Sequence, residues 1–253
     1  MRQCIVLAMA ALSLGRVAMG QTADAQIALG DRDHAAGNLV SALQHYDAAI
    51  RLDPTSYTAL TKAAHDAVDL GEFDDNRAER DSLYQSAEQY ARRAVAANPN
   101  DVEGHFELAR AVGRRALTMG TRDKIKYANL VRNEALAVLK IDPKHAGALH
   151  IMGVWNEQVM SLSGLSRMIA KNFLGGKVFG EASWDKAQRY LEDAVAAEPN
   201  RITHHLDLAG VYAERNDKDK AIEQYEWIAR APSVDYNDNK YKALAAARLK
   251  ALR

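Results

Sequence analysis

The chain has 253 residues, of which 48% are hydrophobic and 26% are charged, and its 33 Lys and Arg side chains balance 33 Asp and Glu side chains. This composition is typical of a folded, soluble protein and argues against disorder. Without a basic excess there is no general affinity for nucleic acid, so we do not expect nucleic acid as a partner. Only five prolines and 15 glycines interrupt a sequence dominated by helix-forming residues, which predicts an all-α fold.

The first 20 residues have the outline of a secretory signal peptide. A short basic start, residues 1–3, precedes an apolar run from Cys4 to Leu14 and then small residues up to Gly20. This pattern predicts cleavage after Gly20, or alternatively after Ala25, and therefore a periplasmic or secreted protein. The apolar run is too short for a membrane span, which needs about 20 apolar residues, so we expect no span in the mature chain. An uncleaved anchor is the alternative.

The single cysteine, Cys4, lies inside this leader. Cleavage therefore leaves a chain without a thiol, a disulfide or a cysteine-based metal site. Such a chain suits an oxidising compartment. The mature chain, residues 21–253, keeps 31 basic and 33 acidic side chains, a formal charge of −2.

The prolines indicate an internal repeat. Each one ends a helix-patterned segment, because proline lacks the amide hydrogen and disfavours helical geometry in the residue before it. Their spacings are 45, 44, 56 and 33 residues, and the last approaches the 34-residue period of a tetratricopeptide repeat. The longer spacings then require insertions. The five positions are Pro54, Pro99, Pro143, Pro199 and Pro232.

Two segments resemble the tetratricopeptide repeat closely. Residues 29–54 place Gly30 on the first helix and Tyr46 on the second, and residues 208–228 repeat this order. A small residue lets two helices approach, while a large one fills the adjoining hole. Because one helix pair cannot bury its apolar face alone, we predict a right-handed α-solenoid of stacked pairs in a single domain, residues 21–253.

The spacing of apolar residues predicts where the repeats depart from the usual length. The second helices of the second and third repeats are lengthened, since their apolar residues keep one face inward over about ten extra positions. The fourth repeat carries a helical insertion, residues 158–183. The predicted repeats are about 23–56, 57–101, 102–145, 146–201 and 202–235, followed by a capping helix at 237–252.

The order of these lengthened units is more specific than the repeat itself. From residue 87 to residue 252, and most clearly in segments 120–126, 150–155 and 162–170, the chain resembles the repeat domain of the regulator of microtubule dynamics family. The resemblance implies a binding module, which in eukaryotic members is associated with membrane contact and lipid handling. The predicted leader and the lack of a long anchor are departures that argue against carrying over the cytoskeletal role and membrane tethering.

No catalytic constellation is visible in the sequence. A nucleophile, base and orienting group do not occur at a workable spacing, and no cofactor motif is present, so we predict neither an enzyme nor a bound cofactor. His145 and His150 lie five residues apart, and His204 and His205 are adjacent, so the members of each pair point to different sides of a helix and predict no metal site. Residues 235–240 lack calcium-loop spacing and predict a polar turn and a helix start.

The concave face of a solenoid, lined by the first helix of each pair, is its usual binding surface. Guanidinium groups and imidazoles beside an aromatic ring can clamp a carboxylate or phosphate group. Alternatively, Arg110 and Arg114 form a solvated stripe that is paired with nearby acids. The predicted groove residues are His65, Glu103, Phe106, Arg110, Arg114, His150, Val154 and Gln158.

The insertion contains an apolar stripe at helical spacing. It is interpreted as a lid or as an interfacial helix that accepts an acyl chain or a partner segment, or alternatively as core that packs on the lengthened helices. The leading hypothesis is a scaffold of the cell envelope that binds a protein or an extended peptide, and the alternative is a carrier of lipid or another amphiphile. The stripe residues are Leu165, Met168, Ile169, Phe173 and Leu174.

Overall fold

The computed structural model describes residues 22–162 and 177–253, and within them it contains eleven α-helices, one short 3₁₀-helix and no β-strand. The predicted all-α fold is therefore confirmed. The 3₁₀-helix spans Lys177–Glu181. The α-helices are α1 (Ala23–Ala35), α2 (Leu39–Leu52), α3 (Tyr57–Gly71), α4 (Arg77–Ala97), α5 (Val102–Leu117), α6 (Thr121–Ile141), α7 (Ala146–Ser161), α8 (Trp184–Ala197), α9 (Ile202–Glu214), α10 (Lys218–Arg230) and α11 (Asp238–Leu252).

Consecutive helices pack in pairs, from α1 with α2 to α9 with α10, and α11 packs on both α9 and α10. The odd-numbered helices also contact one another in sequence, from α1 with α3 to α9 with α11. They therefore form an inner row, and the even-numbered helices form an outer row. This arrangement is the predicted solenoid, with the inner row lining its concave face.

Local sequence explains where the helices begin and end. The side-chain oxygens of Thr22, Ser56, Asp101 and Ser183 each accept a hydrogen bond from a backbone N–H in the first turn of the following helix, as N-cap residues do. Each of the five prolines lies two residues beyond the end of an outer helix. Proline therefore separates one helix pair from the next throughout the array.

The lengthened helices are present, since α4 and α6 have 21 residues each. The helix α7 continues to Ser161, so the first residues of the predicted insertion extend an inner helix. At the other end of the insertion, Phe179 is 2% exposed and its ring stacks on Trp155 with 5.7 Å between centroids. This end of the insertion contributes to the core. The predicted apolar stripe, and the leader at residues 1–20, lie outside the described residues, and both stay predictions.

Close approach within the pairs depends on glycine. A Cβ atom on Gly30 would lie 2.4 Å from the buried ring of Tyr46. On Gly153 it would lie 2.5 Å from Leu191. Both contacts follow the predicted pairing of a small residue with a large one. A third contact of this kind, 2.7 Å between a Cβ on Gly71 and the ring of Tyr84, was not predicted, because Gly71 is at the end of α3.

Replacing Gly30 with alanine is expected to destabilise the protein. Overpacking of the Tyr46 ring destabilises the fold by up to about 3 kcal/mol. Alanine has the higher helix propensity, which stabilises the helix by about 1 kcal/mol relative to glycine. The free energy of unfolding should therefore fall by about 2 kcal/mol. In the control Gly113→Ala the new Cβ would meet Val131 at 3.7 Å, an ordinary contact, so stability should be unchanged or higher. Urea unfolding measures both. Equal stability of the two variants would contradict the packing account.

Candidate functional site

Four ionisable side chains meet where α3 packs on α5, and we call them the α3–α5 charge cluster. His65 and Asp69 lie one turn apart on α3, and Glu107 and Arg110 lie one turn apart on α5. His65 Nδ1 is 2.8 Å from Glu107 Oε1, and His65 Nε2 is 3.2 Å from Asp69 Oδ2. Arg110 Nη2 donates to Asp69 Oδ1 at 2.6 Å. The two helices are thus joined by charge-assisted hydrogen bonds.

The oppositely charged members of this cluster stabilise one another's ionised forms, whereas Arg110 opposes the charge of His65. Burial alone disfavours the charged form of each group. Nevertheless the charge of Glu107 raises the pKa of His65 to about 10, and Arg110 holds the pKa of Asp69 below its usual range. At neutral pH the cluster contains two positive and two negative charges. It is therefore electrically balanced, which fits an element that connects two helices.

Both predicted arginines are paired with acids. Arg110 Nη1 lies 3.0 Å from Glu107 Oε2, and Arg114 forms an ion pair with Glu72, the residue that follows α3. The second interpretation anticipated pairing with acids, but the Arg110 side chain is only 16% exposed and is not part of a solvated stripe. An anionic ligand would have to displace these carboxylates first, so the arginines are poor candidates for a carboxylate or phosphate clamp, and their part in binding stays a prediction.

Three donors of the inner row are close enough together to hold a metal ion. Ligand atoms of His65, Glu103 and Glu107 all lie within 4.8 Å of one another. However, Arg110 Nη1 lies 3.1 Å and 3.0 Å from the two oxygens of Glu107. The guanidinium thus supplies the positive charge that a metal would bring, and it would repel a cation. We therefore assign His65 and Glu107 to the α3–α5 charge cluster and not to a metal site.

Phe106 faces α7. Its ring centroid lies 4.7 Å from that of His145, and a Cβ atom on Gly147 would come within 2.4 Å of the ring. His145 accepts a hydrogen bond from Ala148 N through Nδ1 and so caps α7. Phe106 therefore packs between two inner helices, while Glu103, three residues earlier on α5, is exposed.

The sequence did not reveal a contact between His150 of α7 and His204 of α9. Their Nδ1 atoms are 3.1 Å apart, and His150 Nε2 lies 3.3 Å from Asp207 Oδ2. Burial lowers the pKa of His204 to about 4, which leaves its imidazole neutral at physiological pH. As expected from adjacency, His205 points elsewhere, and its ring stacks on Trp227 at 3.6 Å. A histidine pattern within one helix could not show which partner a neighbouring helix supplies.

A cavity of about 440 Å³ opens between α7, α9 and α11, and we call it the C-terminal cavity. It is lined by two predicted groove residues, Val154 and Gln158, and by side chains from α8 to α11 that the sequence did not single out. Both aliphatic groups and carboxylates line it. Its lining also includes Glu157, Leu191, Asp207, Glu214, Arg248 and Leu252.

The cavity has an excess of negative charge. Among its lining residues, Glu157, Asp207 and Glu214 face a single cation, Arg248. Burial, together with the nearby charges of Asp207 and Glu214, raises the pKa of Glu157, although hydrogen bonds from Gln158 and Ser161 oppose this rise. The part of this rise that comes from Asp207 and Glu214 reflects a negative potential in the cavity, which also favours an added positive charge.

The stacked helix pairs, their glycine contacts and the continuous inner row define the chain as a tetratricopeptide-repeat solenoid. A family model described as regulator of microtubule dynamics protein 1-3 matches residues 21–253. The chain belongs to this family, which confirms the resemblance seen in the sequence.

Relatives and solved structures agree with this assignment. The chain is 24% identical to regulator of microtubule dynamics protein 1 of Bos taurus over 195 residues, which are 77% of this chain and 59% of the relative. The Homo sapiens protein is 25% identical over 191 residues, 74% of this chain and 59% of the relative. This chain therefore matches about six tenths of the length of these relatives. No helix among the described residues combines the length and apolar character needed to cross a membrane.

Among solved structures, a thermophilic TPR protein of Thermus thermophilus has a TM-score of 0.61 and 20% identity. The comparison covers 89% of this chain and 99% of that chain. The pilF protein of Pseudomonas aeruginosa has a TM-score of 0.50 and 16% identity, with 91% of each chain covered. At these identities the likeness shows the fold.

Removing one acid from the α3–α5 charge cluster is expected to destabilise the fold strongly. In Glu107→Gln, Arg110 loses one of its two buried carboxylate partners and His65 loses the charge that raises its pKa, and breaking such a buried pair costs about 3–5 kcal/mol. The matched control is Glu181→Gln, because Glu181 is 55% exposed in its pair with Arg132 and such a pair contributes at most about 1 kcal/mol. Denaturant unfolding at pH 7 compares them. If both variants lost the same small amount, the cluster would not be a structural element.

Proposed function

We propose that this chain is a non-enzymatic scaffold that holds a protein or an extended peptide, and that the C-terminal cavity is its main contact. The observation that carries the proposal is this cavity on the concave side, where unbalanced carboxylates lie beside aliphatic walls. Elsewhere on the inner row, the charges of the α3–α5 charge cluster are satisfied within the protein. A partner would therefore gain the most binding free energy from contacts at the C-terminal end of the inner row.

The lining of the cavity indicates the kind of segment that fits. Val154 and Leu252 are partly exposed and offer apolar surface, while Glu157 and Glu214 offer negative charge. A lysine or arginine side chain matches both, because its aliphatic stem packs on apolar groups while its charged end stays with the acids. We expect a partner segment that inserts at least one basic residue.

Reversing one charge in the cavity tests this function. Glu214→Lys is expected to weaken capture of the native partner by about tenfold or more, as like-charge contact costs more than about 1.4 kcal/mol at an interface. Glu223→Lys on α10 is the control, since Glu223 is likewise exposed but does not line the cavity. Affinity purification from the producing cells, with quantitative mass spectrometry, compares both with the unaltered chain. Equal recovery by Glu214→Lys would contradict the proposal.

The same preparations address the alternative, a carrier of lipid or another amphiphile. That hypothesis relied on the apolar stripe of the insertion, which lies outside the described residues. Native mass spectrometry distinguishes the two functions: a lipid bound to the unaltered protein supports the carrier, whereas a protein partner lost only in Glu214→Lys supports the scaffold.

We further propose that the chain acts in the cell envelope after its leader is removed. Cleavage after Gly20 is favoured over cleavage after Ala25, because the later cut would remove Thr22, whose hydroxyl caps α1. The expected result is a protein beginning at Gln21 in the periplasmic or secreted fraction, measured as an intact mass. A full-length protein that begins at Met1 and remains in the cytosol would contradict this location.

A further inference from the structure

The segment before α11 and its first turns reach across the solenoid to α3. Asn237 Nδ2 donates to the backbone carbonyl of Asp69 at 2.8 Å, and Lys240 Nζ donates to the carbonyl of Phe73 at 3.4 Å. The helix α3 belongs to the second pair, whereas α11 follows the fifth. Because units of a solenoid ordinarily contact only their neighbours, this contact needs an explanation beyond stacking.

Side-chain packing strengthens the same contact. The rings of Phe73 and Tyr241 meet edge-on with 5.1 Å between centroids, and Lys240 Nζ lies 5.3 Å from the centre of the Phe73 ring. Burial and the nearby charge of Glu72 raise the pKa of the Tyr241 phenol. Asn237 is only 4% exposed. The segment therefore covers the end of α3 with an amide donor, an aromatic ring and a cation.

The segment is held in a defined shape by its own residues. Asp238 Oδ2 accepts hydrogen bonds from the backbone N–H groups of Val234 and Asp235, both at 2.8 Å. Arg201 Nη1 holds Asp235 Oδ2 at 2.8 Å. This bracing is independent of α3, so the segment can keep its shape when it leaves α3.

The helix that follows forms a wall of the C-terminal cavity. Arg248 and Leu252 of α11 line the cavity, while the first turns of α11 are fixed to α3. Along its 15 residues, α11 buries only two apolar side chains fully, Tyr241 and Ala245. An element with so little buried surface opens more easily than the rest of a fold. The contact with α3 can therefore determine the distance between α11 and the helices α7 and α9.

We propose that residues 233–241 are a latch that binds α3 in cis and holds α11 closed over the C-terminal cavity. A partner segment enters fully when the latch is released, and the end of α3 is then uncovered beside it. This inference rests on the proposed function for its biological meaning. The movement itself can be measured without a partner.

The test uses a thiol placed in the cavity. The full chain carries Cys4→Ser, so that Val154→Cys provides its single thiol. The thiol is modified with 2-aminoethyl methanethiosulfonate, a small cationic reagent. The rate of modification measures how accessible the cavity is to the reagent. Adding Asn237→Ala removes the hydrogen bond to α3 and is expected to raise the labelling rate about fivefold, the factor that one hydrogen bond supplies. The matched control is Asn239→Ala, because Asn239 is exposed and bonds only to Ser233 nearby, and it should leave the rate unchanged.

Hydrogen exchange separates latch release from general unfolding. In Asn237→Ala the amides of α11 should exchange about fivefold faster, again the factor of one hydrogen bond, while those of α1 and α2 keep their protection. Equal labelling and equal α11 exchange in the Asn237→Ala and Asn239→Ala proteins would overturn the latch, as would loss of protection throughout the chain. Because neither measurement involves a partner, the latch can fail while Glu214→Lys still loses its partner, and the reverse outcome is equally distinguishable.

Discussion

Each helix pair of this protein can bury its apolar face only against the next pair, and this constraint governs everything else in the structure. It requires helices to approach closely, which is why glycine faces a large side chain at Gly30 and Tyr46 and again at Gly153 and Leu191. It also divides the apolar core into successive clusters along the array. The inner surface, which is not needed for this burial, is then free to carry polar groups.

Close approach of the inner helices determines what those polar groups do. Where α3 packs on α5, charged side chains lose water and must find partners, because an unpaired buried charge costs several kcal/mol. His65, Asp69, Glu107 and Arg110 satisfy one another there. Between α7, α9 and α11 the helices leave a cavity, and the carboxylates that line it outnumber the cations. The charges of this row of helices are therefore balanced in its middle and unbalanced at its C-terminal end, where the proposed binding site lies.

The sequence predicted the features that depend on periodicity within one helix pair. Proline spacing indicated the repeat, small and large residues indicated the packing, and helical phase correctly placed Arg110 and Val154 on inner helices. It did not predict which groups meet between pairs. The acids that neutralise Arg110 come from both α3 and α5, and the partner of His150 comes from α9. Such pairings depend on the relative rotation of neighbouring helices, which a pattern of apolar residues in a single chain segment does not encode.

Residues 235–240 show this limit most clearly. Their composition predicted a polar turn and a helix start, and α11 does begin at Asp238. No pattern in the neighbouring sequence indicates that the Asn237 side chain donates a hydrogen bond to the backbone carbonyl of Asp69, 168 residues earlier. That contact exists because the array curves far enough to bring its second and last units together, so one helix serves both as the end of the core and as a wall of the cavity. A helix with both roles cannot be bound too tightly to the core without closing the cavity, and the few apolar side chains that α11 buries are consistent with this compromise.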